Sequence, residues 1–285
     1  MTSLDRPYRS VLYIPASKPR ALEKARGLAA DAIIFDLEDA VSPDEKEQSR
    51  NHLADALAEG GYGPRWRMVR VNGADTPWGA ADLRAAIAMA PDAILLPKVE
   101  EADAVAAAAR GAGPDIQIWA MMETPKGILN AAEIARQPAL GGFVLGTNDL
   151  AKELNCRPRA DRLPMMQALQ TCLLAARAAG IACIDGVYNA FRDAEGLRAE
   201  CVQGRDLGMD GKTLIHPDQI AIANEVFAPS PDEADLARRQ IAAFDAALAA
   251  GQGVAVLDGR IVENLHVDTA RRTLAKLEAI AALEG

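Results

Sequence analysis

The chain has 285 residues, half of them apolar and a quarter charged, an ordinary globular composition, and its length suffices to bury roughly 75% of the unfolded surface without disulfides or metal staples. Its 31 Lys and Arg against 40 Asp and Glu give a formal charge of −9, which excludes a general electrostatic partnership with nucleic acid or an anionic membrane and leaves room for a local basic pocket. No run of about 18 apolar residues occurs, and the polar stretch 1–9 lacks the apolar region of a secretory signal, so a cytoplasmic protein is expected. Cys156, Cys172, Cys183 and Cys201 show neither C-x-x-C pairing nor metal-finger spacing and read as buried or incidental thiols of a reducing compartment.

In chain order, eight short apolar, β-branched runs appear at 10–15, 32–36, 67–71, 93–97, 116–121, 142–146, 182–187 and 212–216. Each is followed by a helical stretch: 20–28, 43–59, 80–89, 101–110, 128–136, 165–179, 195–207 and 218–227. Ser42-Pro43-Asp44-Glu45 supplies an N-cap hydroxyl, a first-turn Pro and acids at the positive end of a helix dipole. Gly60 and Gly180 stand where left-handed caps close helices. Eight βα units in about 225 residues predict an α/β fold, a (β/α)8 TIM barrel occupying residues 1–229; a doubly wound open sheet is the alternative, because spacing does not show closure. After Pro229-Ser230-Pro231 the pattern becomes a helix over 232–250, a hairpin turning at Asp258-Gly259 and a helix over 267–283. This helix-hairpin-helix extension, 230–285, reads either as a clamp on one end of the barrel or as a lid contacting a neighbouring subunit.

In such a barrel the carboxyl ends of the strands converge on one face. Six of them carry ionisable or polar residues: Asp36-Leu37-Glu38-Asp39, Arg70-Val71-Asn72, Pro97-Lys98, Glu123-Thr124-Pro125, Gly146-Thr147-Asn148-Asp149 and His216-Pro217. One acid after a strand is as readily a helix N-cap; six such ends point to a site. Glu123 and Asp149, on adjacent strands, offer two hard oxygen ligands for a small divalent cation that keeps several waters, a description that Mg²⁺ fits. No His or Cys pattern supports zinc. His52 reads as a surface residue, His266 as the start of the tail helix and His216 as the close of a strand. Gly211-Lys212-Thr213 is not a phosphate loop, because Asp206 stands where the required Gly belongs and a strand follows. Gly141-Gly142 precedes its strand and is no dinucleotide fingerprint. Lys18, Arg20 and Lys24 form either a solvated helix face or a phosphate-holding patch at the rim.

Arg9-Ser10-Val11-Leu12-Tyr13-Ile14-Pro15 with Lys18-Pro19-Arg20, Asp36-Leu37-Glu38-Asp39-Ala40-Val41, Arg70-Val71-Asn72 and Leu96-Pro97-Lys98 resemble, in order, the citrate lyase β-subunit and malyl-CoA lyase family. Glu123-Thr124-Pro125, Gly146-Thr147-Asn148-Asp149-Leu150 and Gly211-Lys212-Thr213-Leu214-Ile215-His216-Pro217-Asp218-Gln219 continue the resemblance, which spans residues 9 to 270. It implies a homo-oligomeric barrel enzyme, trimer or hexamer, acting with Mg²⁺, or Mn²⁺ in its place, on CoA esters of hydroxy dicarboxylic acids. By that likeness Glu123 and Asp149 hold the metal and Arg70 faces the thioester carbonyl. Asp36, Glu38 and Asp39 fix Arg70 and water at the metal. Lys18, Arg20 and Lys24 meet the CoA phosphates, and Tyr13 and Pro125 border the substrate and CoA pocket. The family presents an Asp from a neighbouring subunit's C-terminal segment as acid or base; Gly259-Arg260-Ile261-Val262-Glu263-Asn264 puts Glu263 at that position, with a longer reach.

The leading expectation is a lyase that cleaves (S)-malyl-CoA or citramalyl-CoA to acetyl-CoA and a 2-oxo acid by retro-aldol chemistry. That reaction builds negative charge on the hydroxyl and on the enolate, which a divalent ion and a fixed guanidinium, the latter worth roughly 3–4 kcal/mol, would both stabilise. Three alternatives stand beside it. A (3S)-malyl-CoA thioesterase would direct water, activated by Glu263, at the thioester in the same site. A citrate lyase β subunit would act on a carrier-bound citryl group. A non-enzymatic scaffold would bind no Mg²⁺.

Overall fold

The computed structural model describes residues 6–284; residues 1–5 of the polar start, and Gly285, lie outside the described residues. The chain divides into two compact units, one built on Tyr8–Phe227 and the other on Ala228–Gly285.

The first unit is a closed barrel of eight parallel strands. They are β1 (Ser10–Pro15), β2 (Ala32–Asp36), β3 (Trp66–Arg70), β4 (Ala93–Leu96), β5 (Gln117–Met122), β6 (Leu140–Leu145), β7 (Ala182–Asp185) and β8 (Gly211–Leu214). Closure runs through β1 and β8, with Ser10, Val11 and Leu12 opposite Lys212, Thr213 and Leu214. This settles the barrel against the open sheet. Around it lie α1 (Pro19–Ala25), α2 (Lys46–Glu59), α3 (Gly79–Met89), α4 (Ala102–Ala112), α5 (Pro125–Leu129), α6 (Ala131–Ala135), α7 (Thr147–Glu153), α8 (Met166–Ala179), α9 (Ala194–Leu207) and α10 (Ile220–Phe227).

Strand side chains alternate between two cores because successive residues face opposite ways. Val11, Ile34, Met68, Leu95, Trp119 and Ile184 fill the barrel interior, whereas Leu12, Ile33, Val69, Ile94, Phe143 and Leu214 pack outward against the helices. Full burial stabilises each such side chain by about 1.5–3 kcal/mol. Trp119 claims so much of the interior that a Cβ on Gly142 would come within 2.6 Å of its ring. The strand turns past it only because that residue is Gly.

The same alternation delivers charge to one end. Ala32, Ile34 and Asp36 face inward in succession, as do Met68 and Arg70, and Trp119, Met121 and Glu123. Each series meets its ionisable member at the carboxyl end. Asp185 and Lys212 have the opposite parity and point out of the barrel. There Lys212 Nζ lies 3.1 Å from Asp185 and 2.6 Å from Glu200, and Arg162 Nη1 donates to both Asp185 oxygens at 2.7 and 2.8 Å. Lys212 and Asp185 are fully buried, so the motif that mimics a phosphate loop is an ionic pin tying β7, β8 and α9 to the segment before α8.

Two helices differ from the sequence expectation. The stretch 128–136 is split into α5 and α6 at Asn130, whose φ of −94° and ψ of 4° leave the helical region and whose amide donates to the Glu100 carbonyl at 2.8 Å. α7, which carries Asp149, has only seven residues. That is too few to show a helical period in the sequence.

The second unit comprises α11 (Pro231–Ala249), the antiparallel hairpin β9 (Ala255–Leu257) and β10 (Arg260–Val262), and α12 (Asn264–Glu284). Ser230 and Glu233 close a capping box ahead of α11, with Pro231 at its first position. Asp258 and Gly259 both take positive φ, 51° and 74°, at the hairpin turn. Phe244, Ala247, Ala255, Val262 and Val267 form this unit's core.

Candidate active site

A cavity of about 310 Å³ opens at the carboxyl ends of the strands, bordered by Tyr13, Asp36, Arg70, Glu123 and Asp149 among others. Arg70 stands at its back. Its Nε and Nη2 donate to the two oxygens of Asp36 at 2.7 and 2.6 Å, and Nη1 lies 2.8 Å from Glu38 and 3.6 Å from Asp39. Its guanidinium carbon lies 5.0 Å from the centre of the Tyr13 ring, over its face. Burial works against the guanidinium, but Asp36, Tyr13 and Glu38 outweigh it and raise its pKa further. The group is a permanent, oriented cation.

The loop after β2 is held as firmly. Asp36 accepts the backbone N–H groups of Glu38 and Ala40 at 2.9 and 3.1 Å. The buried Lys46 ammonium donates to the carbonyls of Leu37 and Glu38 and to Asn72 Oδ1, at 2.9, 2.7 and 2.8 Å. Asn72 in turn donates to the Leu37 carbonyl at 2.7 Å. Burial lowers the Lys46 pKa and raises that of Glu38, where Arg70 opposes it.

Opposite Arg70, Glu123 is 3% exposed and accepts the backbone N–H of Lys98 at 2.8 Å. Lys98 Nζ spans Asp149, at 3.3 Å, and Glu38, at 3.5 Å. Burial opposes that ammonium too, but Glu38 and Asp149 hold its pKa up at about 12. Burial, reinforced by Glu38, pushes the Glu123 carboxyl up to about 7 even though the Lys98 N–H favours the anion. Such a group binds its proton more tightly folded than unfolded. In metal-free protein its contribution therefore favours the fold at low pH and is lost as pH rises from about 4.5 to about 7. Urea-unfolding midpoints of EDTA-treated protein across that window, with a Glu123→Gln variant as reference, check the expectation: the wild type falls relative to the variant as pH rises.

The donor set fits a divalent cation. Asp36, Glu38, Asp39, Glu123 and Asp149 bring five carboxylates against two cations, Arg70 and Lys98, and the donors are hard oxygens. Asp36 is already taken up by Arg70 and two N–H groups, and Arg70 Nη1 also faces Glu38 and Asp39, so Glu123 and Asp149 are the carboxylates that could hold such an ion. Among the described residues no group of three or more His, Cys, Asp or Glu is placed to hold a metal; a cation on these two carboxylates would take its remaining ligands from water and substrate. Gly146 makes room for Glu123: a Cβ there would collide with the Glu123 side chain. Gly146→Ala is expected to displace Glu123 and weaken Mg²⁺ binding at least about 10-fold, read by calorimetry.

Tyr13 Oη is buried and has no hydrogen-bond partner among the described residues, and burial raises its pKa so that it keeps its proton, Arg70 opposing. The other expected residues lie elsewhere. Lys18, Arg20 and Lys24 are exposed on and before α1, with Lys18 Nζ 3.9 Å from Glu45. Pro125 heads α5 outside the cavity lining, beside the Thr124 hydroxyl that accepts Gly127 N–H at 3.1 Å. Glu263 belongs to the second unit, exposed just ahead of α12, its N–H donating to His266 Nδ1 at 3.0 Å. His216 caps a turn by accepting Asp218 N–H at 3.2 Å, and His52 is half-buried on α2. Lys98, Lys46 and Met121, whose Sδ accepts from Arg70 Nη1 at 3.7 Å, are among the site residues that the sequence did not single out. Only the position of Lys98 at a strand end hinted at a role.

Residues 9–217 match the family described as HpcH/HpaI aldolase/citrate lyase. The chain belongs to this family. Over 97% of its length it is 66% identical to a (3S)-malyl-CoA thioesterase of Cereibacter sphaeroides strain KD131, covering 96% of that protein. The L-malyl-CoA/beta-methylmalyl-CoA lyase of the same strain is 34% identical, covering 97% of this chain and 96% of that protein. The crystal structure of CitE from Mycobacterium tuberculosis in complex with magnesium, acetoacetate and coenzyme A superimposes with a TM-score of 0.80 at 32% identity, over 96% of this chain and 98% of that one. These identities overturn the expectation of a CoA-ester lyase. HpcH/HpaI members named as lyases and as thioesterases are both similar along nearly the whole chain, so strand-end motifs select the family without selecting what attacks the bound ester.

Proposed function

We propose that this chain is a thioesterase hydrolysing the CoA ester of a hydroxy dicarboxylic acid, (3S)-malyl-CoA or a near relative, to the free acid and CoA. The observation that carries the reading is the 66% identity over 97% of the chain to a protein of that name, against 34% to the lyase of the same strain. The citrate lyase β-subunit reading has no comparable support.

The cavity chemistry suits this reaction. Water adding to a thioester carbonyl drives charge onto the carbonyl oxygen, and the thiolate then leaves. Arg70 is the donor for that oxygen: Asp36 fixes its plane, and Nη2 has a second N–H beyond the one given to Asp36. Tyr13, protonated and unpartnered, supplies a further donor from the same wall. Glu123 and Asp149 would hold Mg²⁺, with Mn²⁺ able to replace it, as the related CitE structure holds magnesium. When bound, the metal would anchor the substrate's hydroxyl and carboxylate and counter charge developed in the reaction. Glu38 and Asp39 keep Arg70 in place. We assign the CoA phosphates to Lys18, Arg20 and Lys24, and the base that takes the water proton to Glu263 of a second copy in a homo-oligomer.

Turnover of (3S)-malyl-CoA in ¹⁸O-water tests the reading. One ¹⁸O in the carboxylate of the released malate is expected. Formation of acetyl-CoA with a 2-oxo acid in place of labelled malate would overturn it.

A further inference from the structure

Lys98 has no task in the reaction above, yet it reaches three carboxylates of the site. Its N–H holds Glu123 at 2.8 Å, while Nζ stands 3.3 Å from Asp149 and 3.5 Å from Glu38. It does so with a φ of 48°, a left-handed conformation that disfavours residues carrying a Cβ. That turn aims both the backbone N–H and the ammonium at the acids.

We propose that Lys98 is a displaceable counter-ion of the metal site: its ammonium neutralises Asp149 and Glu38 until a divalent cation held by Glu123 and Asp149 takes its place on Asp149. The proposal rests on the metal reading above. A cation on Asp149 and an ammonium 3.3 Å from the same carboxylate repel each other, so one must yield. The Lys98 side chain is 50% exposed and can swing its charge into water on a flexible stem. Arg70, pinned by Asp36 and 8% exposed, cannot. With Lys98 in place the acids are compensated in the metal-free protein, which avoids the penalty of buried unpaired carboxylates. The exchange also sets the site's affinity below what its carboxylates alone would give.

Calorimetric titration of Mg²⁺ into EDTA-stripped full-length protein, beside thermal unfolding of the same samples, tests this with Lys98→Met and Lys98→Arg. Met keeps the chain length and the N–H bond to Glu123. K98M is expected to bind Mg²⁺ roughly tenfold more tightly than wild type, and K98R to bind close to wild type. Metal-free K98M melts lower than wild type, a gap that saturating Mg²⁺ closes. Equal or weaker binding by K98M, with normal binding by wild type, overturns the counter-ion role; Lys98→Gln provides the same comparison if the Met variant does not fold. No binding by wild type overturns the metal reading and the proposal with it.

Discussion

Arg70→Lys is expected to lower kcat roughly 10²- to 10³-fold while changing KM far less, the range seen when one fixed oxyanion donor is removed. Arg70 works through shape as well as charge. Its fork spends two N–H groups on Asp36 at 2.7 and 2.6 Å and still presents further donors in the same plane. A Lys ammonium at that position is a point charge on a flexible stem. It can stay near Asp36 or reach the substrate, but it cannot be held by one while oriented on the other. Removing the charge entirely is a different experiment. Arg70→Met leaves Asp36 buried without its cation and Glu38 with Lys98 alone, a change expected to destabilise the fold by about 3–5 kcal/mol. The Lys variant therefore reads catalysis and the Met variant reads stability. Steady-state thiol release and urea-unfolding midpoints, measured on both, separate the two. Near wild-type kcat in R70K would remove Arg70 from the oxyanion role.

The second large effect belongs to Glu123. Glu123→Gln preserves the shape and the carbonyl oxygen that accepts Lys98 N–H, but removes a formal charge from a pair of proposed ligands. Outer-shell changes at metal sites already lower affinity 10- to 100-fold, so losing a direct ligand is expected to lower Mg²⁺ affinity at least about 100-fold and turnover with it. The fold should not suffer. Burial pushes the Glu123 carboxyl up to about 7, so the anion is a burden to the metal-free protein above that pH and a neutral amide relieves it. A variant that gains thermal stability in EDTA and loses Mg²⁺ binding carries both signatures. Unchanged Mg²⁺ affinity would exclude Glu123 as a ligand.

Much of this site is legible in the sequence because a period of two carries a strand from core to cavity. Ile34 to Asp36, Met68 to Arg70 and Met121 to Glu123 each step from an apolar interior residue to a charge without changing face. Parity also explains Asp185, which follows the outward-facing Cys183 and so enters a buried ionic pin. A run of four strand residues does not reveal that by composition alone. Lys98 escapes because its role depends on a left-handed φ that nothing in Pro97-Lys98-Val99 announces. Lys46 escapes because a Lys in a first helical turn ordinarily reads as solvated, and only the fold brings the Leu37 and Glu38 carbonyls and Asn72 around it. The helix break at Asn130 is likewise tertiary, since its amide reaches the carbonyl of Glu100. The reaction class is illegible for another reason. Hydrolysis and carbon–carbon cleavage of one ester call on the same cation, carboxylates and guanidinium, and differ in whether water or the substrate's hydroxyl loses the proton.

The most direct measurement follows free thiol and 2-oxo acid together from (3S)-malyl-CoA, with Mg²⁺ and with EDTA. Thiol and malate in equal amounts, no accumulating glyoxylate, and loss of turnover in EDTA are the expected result. Glyoxylate and acetyl-CoA as the products, or thiol release that EDTA leaves untouched, would contradict it.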